Sequence, residues 1–139
     1  MQKFYGLAIV SLVFILSSCG GLLYNAKLGN IERIEAALKH GVPIETRNEV
    51  GSTALIIAAY SGRAEAVRYL CENGADVNAQ DNNRVTALHH ACYYNFLTVA
   101  EILLEHKADK TIKDRYGNTP LDYAERYEYT RLISLLKNE

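Results

Sequence analysis

Several features that mark common functional classes are missing from this chain. Tryptophan is absent, and 15 basic and 16 acidic side chains leave a net charge of −1. The chain therefore lacks the basic excess of a nucleic-acid-binding protein. No glycine-rich phosphate loop, nucleophile-elbow motif or helical His-Glu-x-x-His occurs in its 139 residues. We expect no nucleic-acid partner, no cofactor and no enzymatic activity.

Metal-binding patterns are missing as well. The chain has three cysteines and four histidines, but no Cys/His spacing typical of a zinc site. His89 and His90 are adjacent, and neighbouring residues on a helix diverge, so they are poorly placed to share one metal ion. We expect no metal site.

The N-terminal apolar run is too short to favour a membrane-spanning helix. It extends from Gly6 to Leu16 after the single charge of Lys3, which is typical of a signal-peptide core. Residues 16–19, Leu-Ser-Ser-Cys, follow it and resemble the bacterial lipobox. The resemblance implies that residues 1–18 are cleaved off and that the thiol of Cys19 carries diacylglycerol.

The lipobox resemblance also predicts where the protein resides. A diacylglycerol and an amide-linked acyl chain such as palmitate would anchor it stably, because two or more chains are needed for firm membrane binding. Residues 19–21 would form the lipidated cysteine and a short linker. Residue 20 is glycine instead of the aspartate that resembles an inner-membrane retention signal, which in a Gram-negative source implies the outer membrane, facing the periplasm. The alternative is an uncleaved hydrophobic anchor.

The rest of the chain repeats with a period of 33 residues. Thr53, Thr86 and Thr119 mark the period, and residues 51–59, 84–92 and 117–124 align around them without a gap. Such a shared register indicates one structural unit copied several times. Each unit cannot bury its apolar face alone, so neighbouring units must stack.

Each unit reads as a helix, a turn, a second helix and an extended turn. Residues 119–121 (Thr-Pro-Leu), 86–89 (Thr-Ala-Leu-His) and 74–79 (Gly-Ala-Asp-Val-Asn-Ala) resemble the motifs of the ankyrin repeat. The resemblance implies an all-α ankyrin-repeat solenoid of about four stacked helix-turn-helix units with short β-hairpin-like connecting loops. It spans residues 22–139, in units of about 22–47, 48–80, 81–113 and 114–139.

Three details of the units lead to further expectations. Lys137 stands where Cys71 and Leu104 face the next unit, which suits a closing unit that meets water. Lys107 replaces the helix-ending glycine of the third unit, so we expect that turn to be looser or differently shaped. Cys71 and Cys92 occupy leucine and alanine positions, which favours buried free thiols over a disulfide.

Ten tyrosines are the strongest sign of function. In the ankyrin-like register, Tyr60 and Tyr93 share one position, and Tyr94 and Tyr127 share the next, which predicts a tyrosine stripe on the concave face. Tyrosine is favoured in recognition surfaces, so we expect a protein partner bound mainly by this stripe and Tyr116. The predicted partner-binding residues are Glu49, Val50, Ser52, Tyr60, Ser61, Asn82, Asn83, Val85, Tyr93, Tyr94, Arg115, Tyr116, Asn118, Arg126 and Tyr127.

Together these features predict a monomeric, non-enzymatic protein-binding module tethered to the bacterial envelope. Small size, export and a lone binding domain suggest an immunity or inhibitor protein that blocks a toxin or enzyme. Two alternatives remain open. The module could be a structural envelope scaffold, or a redox or stress-protection protein that uses Cys71 and Cys92.

Overall fold

The computed structural model describes residues 21–138, so Cys19 and the signal segment predicted before it lie outside the described residues. Between residues 21 and 138, no helix combines the length and apolar character needed to cross a membrane. Eight helices occur in this part of the chain: α1 (residues 21–28), α2 (Ile31–Lys39), α3 (Ala54–Tyr60), α4 (Ala64–Glu72), α5 (Ala87–Tyr93), α6 (Leu97–Glu105), α7 (Pro120–Arg126) and α8 (Thr130–Lys137).

The three recurring threonines are helix N-caps. Thr53, Thr86 and Thr119 have extended backbones immediately before α3, α5 and α7. Each hydroxyl oxygen accepts a hydrogen bond from the backbone N–H three residues further on, at 3.4, 3.4 and 3.3 Å. These bonds satisfy N–H groups that have no partner within the helix. The threonine period is therefore the period at which the first helix of each unit begins.

The first helices of the units stack into an inner row. Helix α5 packs between α3 and α7. The contacts are made by small side chains that are fully buried, including Ala58, Ala59, Ala91, Cys92 and Ala124. Small residues at a helix contact shorten the distance between the helix axes. The paired small residues that recur in the sequence thus set the close spacing of the inner row.

The second helices form an outer row, in which α4 packs against α2 and α6, and α6 packs against α8. Their buried side chains are larger, such as Val67 and Leu70 in α4, Leu103 in α6 and Leu132 in α8. These side chains fill the space between the two rows and form one continuous core. The prediction of an all-α solenoid of four stacked helix pairs is confirmed.

The last helix pair ends the array with charged groups. Lys137 is exposed, and its ammonium nitrogen lies 2.8 Å from a carboxylate oxygen of Glu125. The pair joins α8 to α7 within the same unit. This surface therefore meets water with charged side chains at the position where earlier units pack against a following neighbour.

The connecting loops share one turn that is stabilised by a side chain. Asn48, Asp81 and Asp114 stand 33 residues apart, and one side-chain oxygen of each accepts the backbone N–H groups two and four residues further on, at 2.8–3.1 Å. Asparagine and aspartate favour turns because they bond the local backbone in this way. The predicted hairpin-like loops are present as three equivalent tips.

Neighbouring tips are joined by hydrogen bonds. The backbone N–H of Asn82 donates to the carbonyl of Val50 at 3.1 Å, and that of Arg115 donates to the carbonyl of Asn83 at 2.9 Å. The side chains of Asn82 and Arg115 add bonds of 3.2 Å to the carbonyl of Glu49 and 2.9 Å to the Asn83 amide oxygen. The units are thus held in register at their tips as well as by the helical core.

The expectation that the turn at Lys107 has a different shape is wrong. Lys107 adopts φ 66°, in the left-handed region, as Gly74 does with φ 86°. The N–H groups of Lys107 and Ala108 donate to the carbonyls of Leu104 and Leu103 at 3.0 and 2.9 Å, and the Gly74 turn makes the same two bonds. These backbone bonds hold the turn in the same shape, although the left-handed conformation has a steric cost for the Lys107 side chain.

Candidate protein-binding surface

Four tyrosines at the ends of the inner helices come together on one surface, which we call the tyrosine cluster. Tyr60 ends α3, Tyr93 ends α5, and Tyr94 and Tyr127 are the C-cap residues of α5 and α7. Their side chains are 48%, 41%, 40% and 41% exposed. The stripe predicted from the repeat register is therefore a contiguous and partly exposed aromatic surface.

The rings of the tyrosine cluster contact one another edge to face. The ring centroids of Tyr60 and Tyr94 are 5.2 Å apart, those of Tyr93 and Tyr94 are 4.8 Å apart, and those of Tyr93 and Tyr127 are 5.4 Å apart, with interplanar angles of 88°, 72° and 81°. Aromatic pairs prefer this arrangement, and each contributes about 0.5–1.5 kcal/mol beyond the area that it buries. The cluster is pre-organised before any partner binds.

Two hydroxyl groups of the cluster, those of Tyr94 and Tyr127, have raised pKa values. Burial, followed by the neighbouring Tyr60 hydroxyl, raises the pKa of Tyr94 above its usual value. A hydrogen bond with Tyr93, followed by burial, raises the pKa of Tyr127. These two residues therefore present neutral hydroxyl groups that can donate or accept hydrogen bonds.

A half-buried tyrosine, Tyr123, supports the cluster. The Tyr123 ring centroid is 5.6 Å from that of Tyr93, and its hydroxyl donates to the carboxylate of Asp114, which is only 2% exposed. Burial, followed by this bond, raises the pKa of Tyr123 to about 12. Burial alone would raise the pKa of Asp114, but bonds from Tyr123 and two backbone N–H groups hold it below its usual value. The pair fixes one end of the cluster on the turn of the fourth unit.

Two cavities adjoin the cluster. The smaller, of about 140 Å³, is lined by Val85, His89, His90, Tyr93, Tyr94 and Tyr123. The larger, of about 360 Å³, is lined by Lys27, Asn48, Val50, Ser52, Ile56, Ile57, Tyr60, Asp81 and His90. The larger cavity falls within the size range of ligand pockets, at the low end. It can accept a bulky side chain of a partner next to exposed rings.

Ser52 does not occupy the position expected of it. It is only 7% exposed and lines the larger cavity, whereas Val50, two residues earlier, is 55% exposed. The backbone N–H of Ser52 is bonded to the Asn48 side chain inside the tip turn, which draws the residue inward. Ser52 therefore belongs to the floor of the surface and is not one of its exposed contacts.

His90 is part of the surface, although the sequence drew attention to it only as a metal ligand. Its ring lies 5.3 Å from that of Tyr60 and 6.4 Å from that of Tyr94, and it lines both cavities. Burial lowers its pKa to about 4, so the ring is neutral at physiological pH. The spacing of His90 and Tyr94, four residues apart on one helix face, is the signal that could have placed it here.

His89 has the structural role that the ankyrin motif implies. Its Nε2 lies 3.1 Å from the carbonyl of Asn118 in the next unit, which can only accept, so Nε2 carries the proton. Its Nδ1 then accepts from the backbone N–H and hydroxyl of Thr86, at 3.2 and 2.8 Å. Burial lowers the pKa of His89, which favours this neutral form. The histidine joins a helix cap to the following tip.

Most of the predicted polar residues are exposed and Asn118 is half-buried, but several of them already bond within the stack. Asn82, Asn83 and Arg115 make the bonds between tips described above. Arg126 donates to the Asn118 side chain at 3.2 Å, so these two also bond within the chain. The predicted polar contacts of this surface therefore also support the units themselves.

The remaining predicted residues are Val85, Ser61, Glu49 and Tyr116, and they differ in exposure and in distance from the tyrosine cluster. Val85 lies beside the tyrosine cluster in the smaller cavity. Ser61 is half-buried at the end of α3, and Glu49 is exposed at the tip of the second unit. Tyr116 is 77% exposed and stands apart from the cluster, with the Arg115 guanidinium 5.4 Å from its ring. The structure thus joins Val85 to the cluster and leaves Tyr116 outside it.

The two described cysteines are free thiols, Cys92 buried and Cys71 partly buried. Burial raises their pKa values to about 12 and about 11, respectively, so both remain protonated and weakly nucleophilic. Within residues 21–138, no three His, Cys, Asp or Glu side chains are grouped as metal ligands. The described thiols have the packing positions expected from the sequence.

The fold and the site define a solenoid repeat protein with an aromatic surface at the ends of its inner helices. A family model described as ankyrin repeats in many copies matches residues 72–124, and one described as three ankyrin copies matches residues 18–81. A comparison with curated proteins finds no match. The chain is an ankyrin-repeat solenoid. Ankyrin repeats are generally protein–protein interaction modules and are typically not enzymes.

Proposed function

We propose that this protein is a lipid-anchored, non-enzymatic module that binds another protein through the tyrosine cluster. The observation that carries the proposal is the contiguity of four exposed rings across three consecutive units. Adjoining exposed aromatic side chains on a soluble domain typically mark an interaction site. Solenoids of this kind bind along their concave surfaces, where neighbouring units present side chains in register.

Low reorganisation cost supports binding at this surface. The rings are held by one another, by His90 and by Tyr123, so few rotamers remain to be lost when a partner binds. The larger cavity adjoins Tyr60 and can hold one bulky side chain of the partner. Buried aromatic anchors of this type supply most of the binding energy in many interfaces.

Affinity capture from envelope extracts tests the binding surface. The full chain is compared with a Tyr93→Ala/Tyr94→Ala variant and with a matched Thr98→Ala/Glu101→Ala variant, whose two positions are exposed on α6. The tyrosine variant should recover at least about tenfold less partner, the scale of a hot-spot loss, while the α6 variant should match the wild type. Equal recovery by all three folded proteins would reject this surface.

The lipid anchor rests on residues 16–19. Cleavage before Cys19 would bring the first unit close to the membrane, because residues 20 and 21 alone separate the lipidated residue from Leu22. Mass spectrometry of the mature N-terminus, compared with that of a Cys19→Ala variant, tests the anchor. A diacylglyceryl-modified N-terminal cysteine supports it, and an intact unmodified N-terminus would refute it.

A role as an immunity or inhibitor protein is the specific form of binding that we favour. It predicts that the captured partner is a toxin or enzyme whose activity falls when the protein is added. A partner that co-purifies without any loss of activity would instead indicate a scaffold in the envelope. A redox role is disfavoured, because burial raises the pKa of both described thiols and leaves them unreactive.

A further inference from the structure

The ion pairs of the structure lie away from the tips of the units. Those found within residues 21–138 are Glu35–Lys39, Arg68–Glu105 and Glu125–Lys137. None of them includes Arg84 or Arg115, which are exposed on the tips of the third and fourth units. In the described part of the chain, these two guanidinium groups have no carboxylate within ion-pair distance.

The nearby carboxylates are already engaged. One oxygen of Asp81 accepts two backbone N–H groups at 2.8 and 2.9 Å, and Asp114 is buried beneath Tyr123. Asp122 accepts from the N–H and hydroxyl of Thr119 at 2.6 and 2.7 Å. The exposed carboxylate of Glu49 lies on the tip of the second unit. The tips of the third and fourth units therefore present charged donors to solvent and few free acceptors.

Arg84 and Arg115 belong to adjoining tips. Arg115 bonds Asn83, the residue before Arg84, through both its backbone and its side chain, at 2.9 Å each. The next residue, Val85, lines the smaller cavity together with Tyr93 and Tyr94. Arg84 is thus the chain neighbour of a residue that lines the aromatic surface, while the Arg115 guanidinium lies against Tyr116, outside the tyrosine cluster. Guanidinium groups suit carboxylates because their planar N–H donors match both oxygens.

The backbone conformation of Arg84 is shared with the equivalent residues of the neighbouring units. Arg84 has φ 61°, in the left-handed region, where the second and fourth units carry Gly51 at φ 79° and Gly117 at φ 81°. A side chain at this conformation carries a steric cost that glycine avoids. Asn95 and Lys107 in the same unit share this conformation, so it belongs to the fold. Replacement of Arg84 by glycine can therefore remove the guanidinium without changing the backbone.

We propose that the partner binds through an acidic, extended segment whose carboxylates pair with Arg84 and Arg115 and whose apolar side chains contact the tyrosine cluster. This inference rests on the proposed function and names the chemistry of the partner. The raised pKa values of Tyr94 and Tyr127 keep these two hydroxyls neutral, so they do not repel such a segment. Because exposed charge pairs are screened by ions, binding weakens as salt increases.

Selection from a random peptide library displayed on phage, with the immobilised full chain as bait, tests the inference. The enriched peptides should combine Asp or Glu with aromatic or aliphatic residues. Arg84→Gly should weaken their Kd by about fivefold, the upper range for an exposed charge pair, while keeping the fold, because neighbouring units carry glycine there. Lys107→Gly is the matched control, since it also removes one positive charge from a left-handed residue of the third unit.

The outcomes separate the inference of an acidic segment from the proposed function. Acidic peptides that weaken with Arg84→Gly and not with Lys107→Gly support the inference. Peptides that lack acidic residues but whose binding depends on Tyr93 and Tyr94 overturn the inference and remain consistent with the proposed function. Peptides whose binding does not depend on either tyrosine overturn the proposed function. Recovery of no peptide overturns the inference. Binding of an oligothymidine that is tighter than that of any selected peptide would also overturn it, in favour of a nucleic-acid ligand.

Discussion

The second and third units have nearly the same backbone, but different residues occupy three of their turns. In each unit, three residues adopt left-handed conformations at equivalent positions. The second unit uses glycine at all three, and the third unit uses none: the pairs are Gly51 and Arg84, Gly62 and Asn95, and Gly74 and Lys107. The fold thus fixes the conformation of these turns independently of the residue that occupies them.

The glycines of the second unit are required for different reasons. A Cβ atom at Gly51 would lie 2.4 Å from the Asn82 side chain, and one at Gly62 would lie 2.9 Å from the ring of Phe96. A Cβ atom at Gly74 would meet no atom within 4 Å. Space therefore requires glycine at the first two positions, while the backbone angle alone favours it at the third.

The inner helices of these units also differ in polarity. Ile56 and Ile57 of α3 occupy the positions of His89 and His90 in α5. His89 uses both ring nitrogens to join its own cap to the next tip, and His90 contributes a ring to the surface beside Tyr94. The third unit therefore has one more bond to the next tip and one more ring on the candidate surface than the second unit, on the same framework.

The largest effect is expected from a steric clash introduced at Gly62. Gly62→Ala should lower the free energy of unfolding by about 2–4 kcal/mol, because the methyl group meets the Phe96 ring and the left-handed backbone adds steric cost. Gly74→Ala, with the same backbone cost and open space, should lower it by about 0.5–1 kcal/mol, because the smaller unfolded-chain entropy of alanine offsets part of the cost. Urea unfolding of both variants measures the difference. Equal losses would show that the Phe96 contact does not require glycine.

Acid should destabilise the third unit more than the second. The pKa of His90 falls from 6.5 to about 4 on folding, so the folded state binds fewer protons and stability is lost as pH falls from about 6.5 to about 4. The loss should reach about 2–3 kcal/mol. Asp114 and Asp122 have lowered pKa values, so their contribution is lost only below this range.

His90→Ile, which introduces the residue of the second unit, tests this difference. The slope of unfolding free energy against pH should become smaller over this range, with His89 leaving a residual slope because burial lowers its pKa too. Urea unfolding at several pH values between 7 and 4.5 measures the slope. An unchanged slope would mean that His90 does not titrate as proposed.

The smallest effect is expected at Lys107. Lys107→Gly should raise the free energy of unfolding by about 0.5–1 kcal/mol, because relief of the left-handed conformation exceeds the extra entropy of glycine in the unfolded chain. The reciprocal Gly74→Lys change should lower it by a similar amount. Thermal unfolding of the two variants provides the measurement. A loss of stability in Lys107→Gly would indicate that its side chain makes a stabilising contact.

The repeat register predicted much of the fold and part of the site. The helix pairs, the buried small residues and the alignment of Tyr60, Tyr93, Tyr94 and Tyr127 all follow from side-chain spacing. The register could not predict that the Lys107 turn keeps its shape, because the backbone bonds of the turn to Leu104 and Leu103 override a single residue's preference.

Other site features depend on burial and ring contacts that the repeat register does not contain. Ser52 is drawn inward by the tip turn that Asn48 caps, and His90 joins the surface through the ring of Tyr60 in the preceding unit. The register gives neither the burial of Ser52 nor the contact of His90 with Tyr60, although the four-residue spacing of His90 and Tyr94 indicates that these two share a helix face. The repeat register therefore places residues on a face, while burial and ring contacts decide which of them form a site.

Site-specific photocrosslinking in intact cells tests the binding surface most directly. A photoreactive phenylalanine derivative is introduced in place of Tyr94, or in place of Glu101 on the outer helix α6 as the control. We predict a covalent adduct with a partner protein from position 94 and none from position 101. Adducts from position 101 alone, or from neither position, would contradict the assignment of the tyrosine cluster as the binding site.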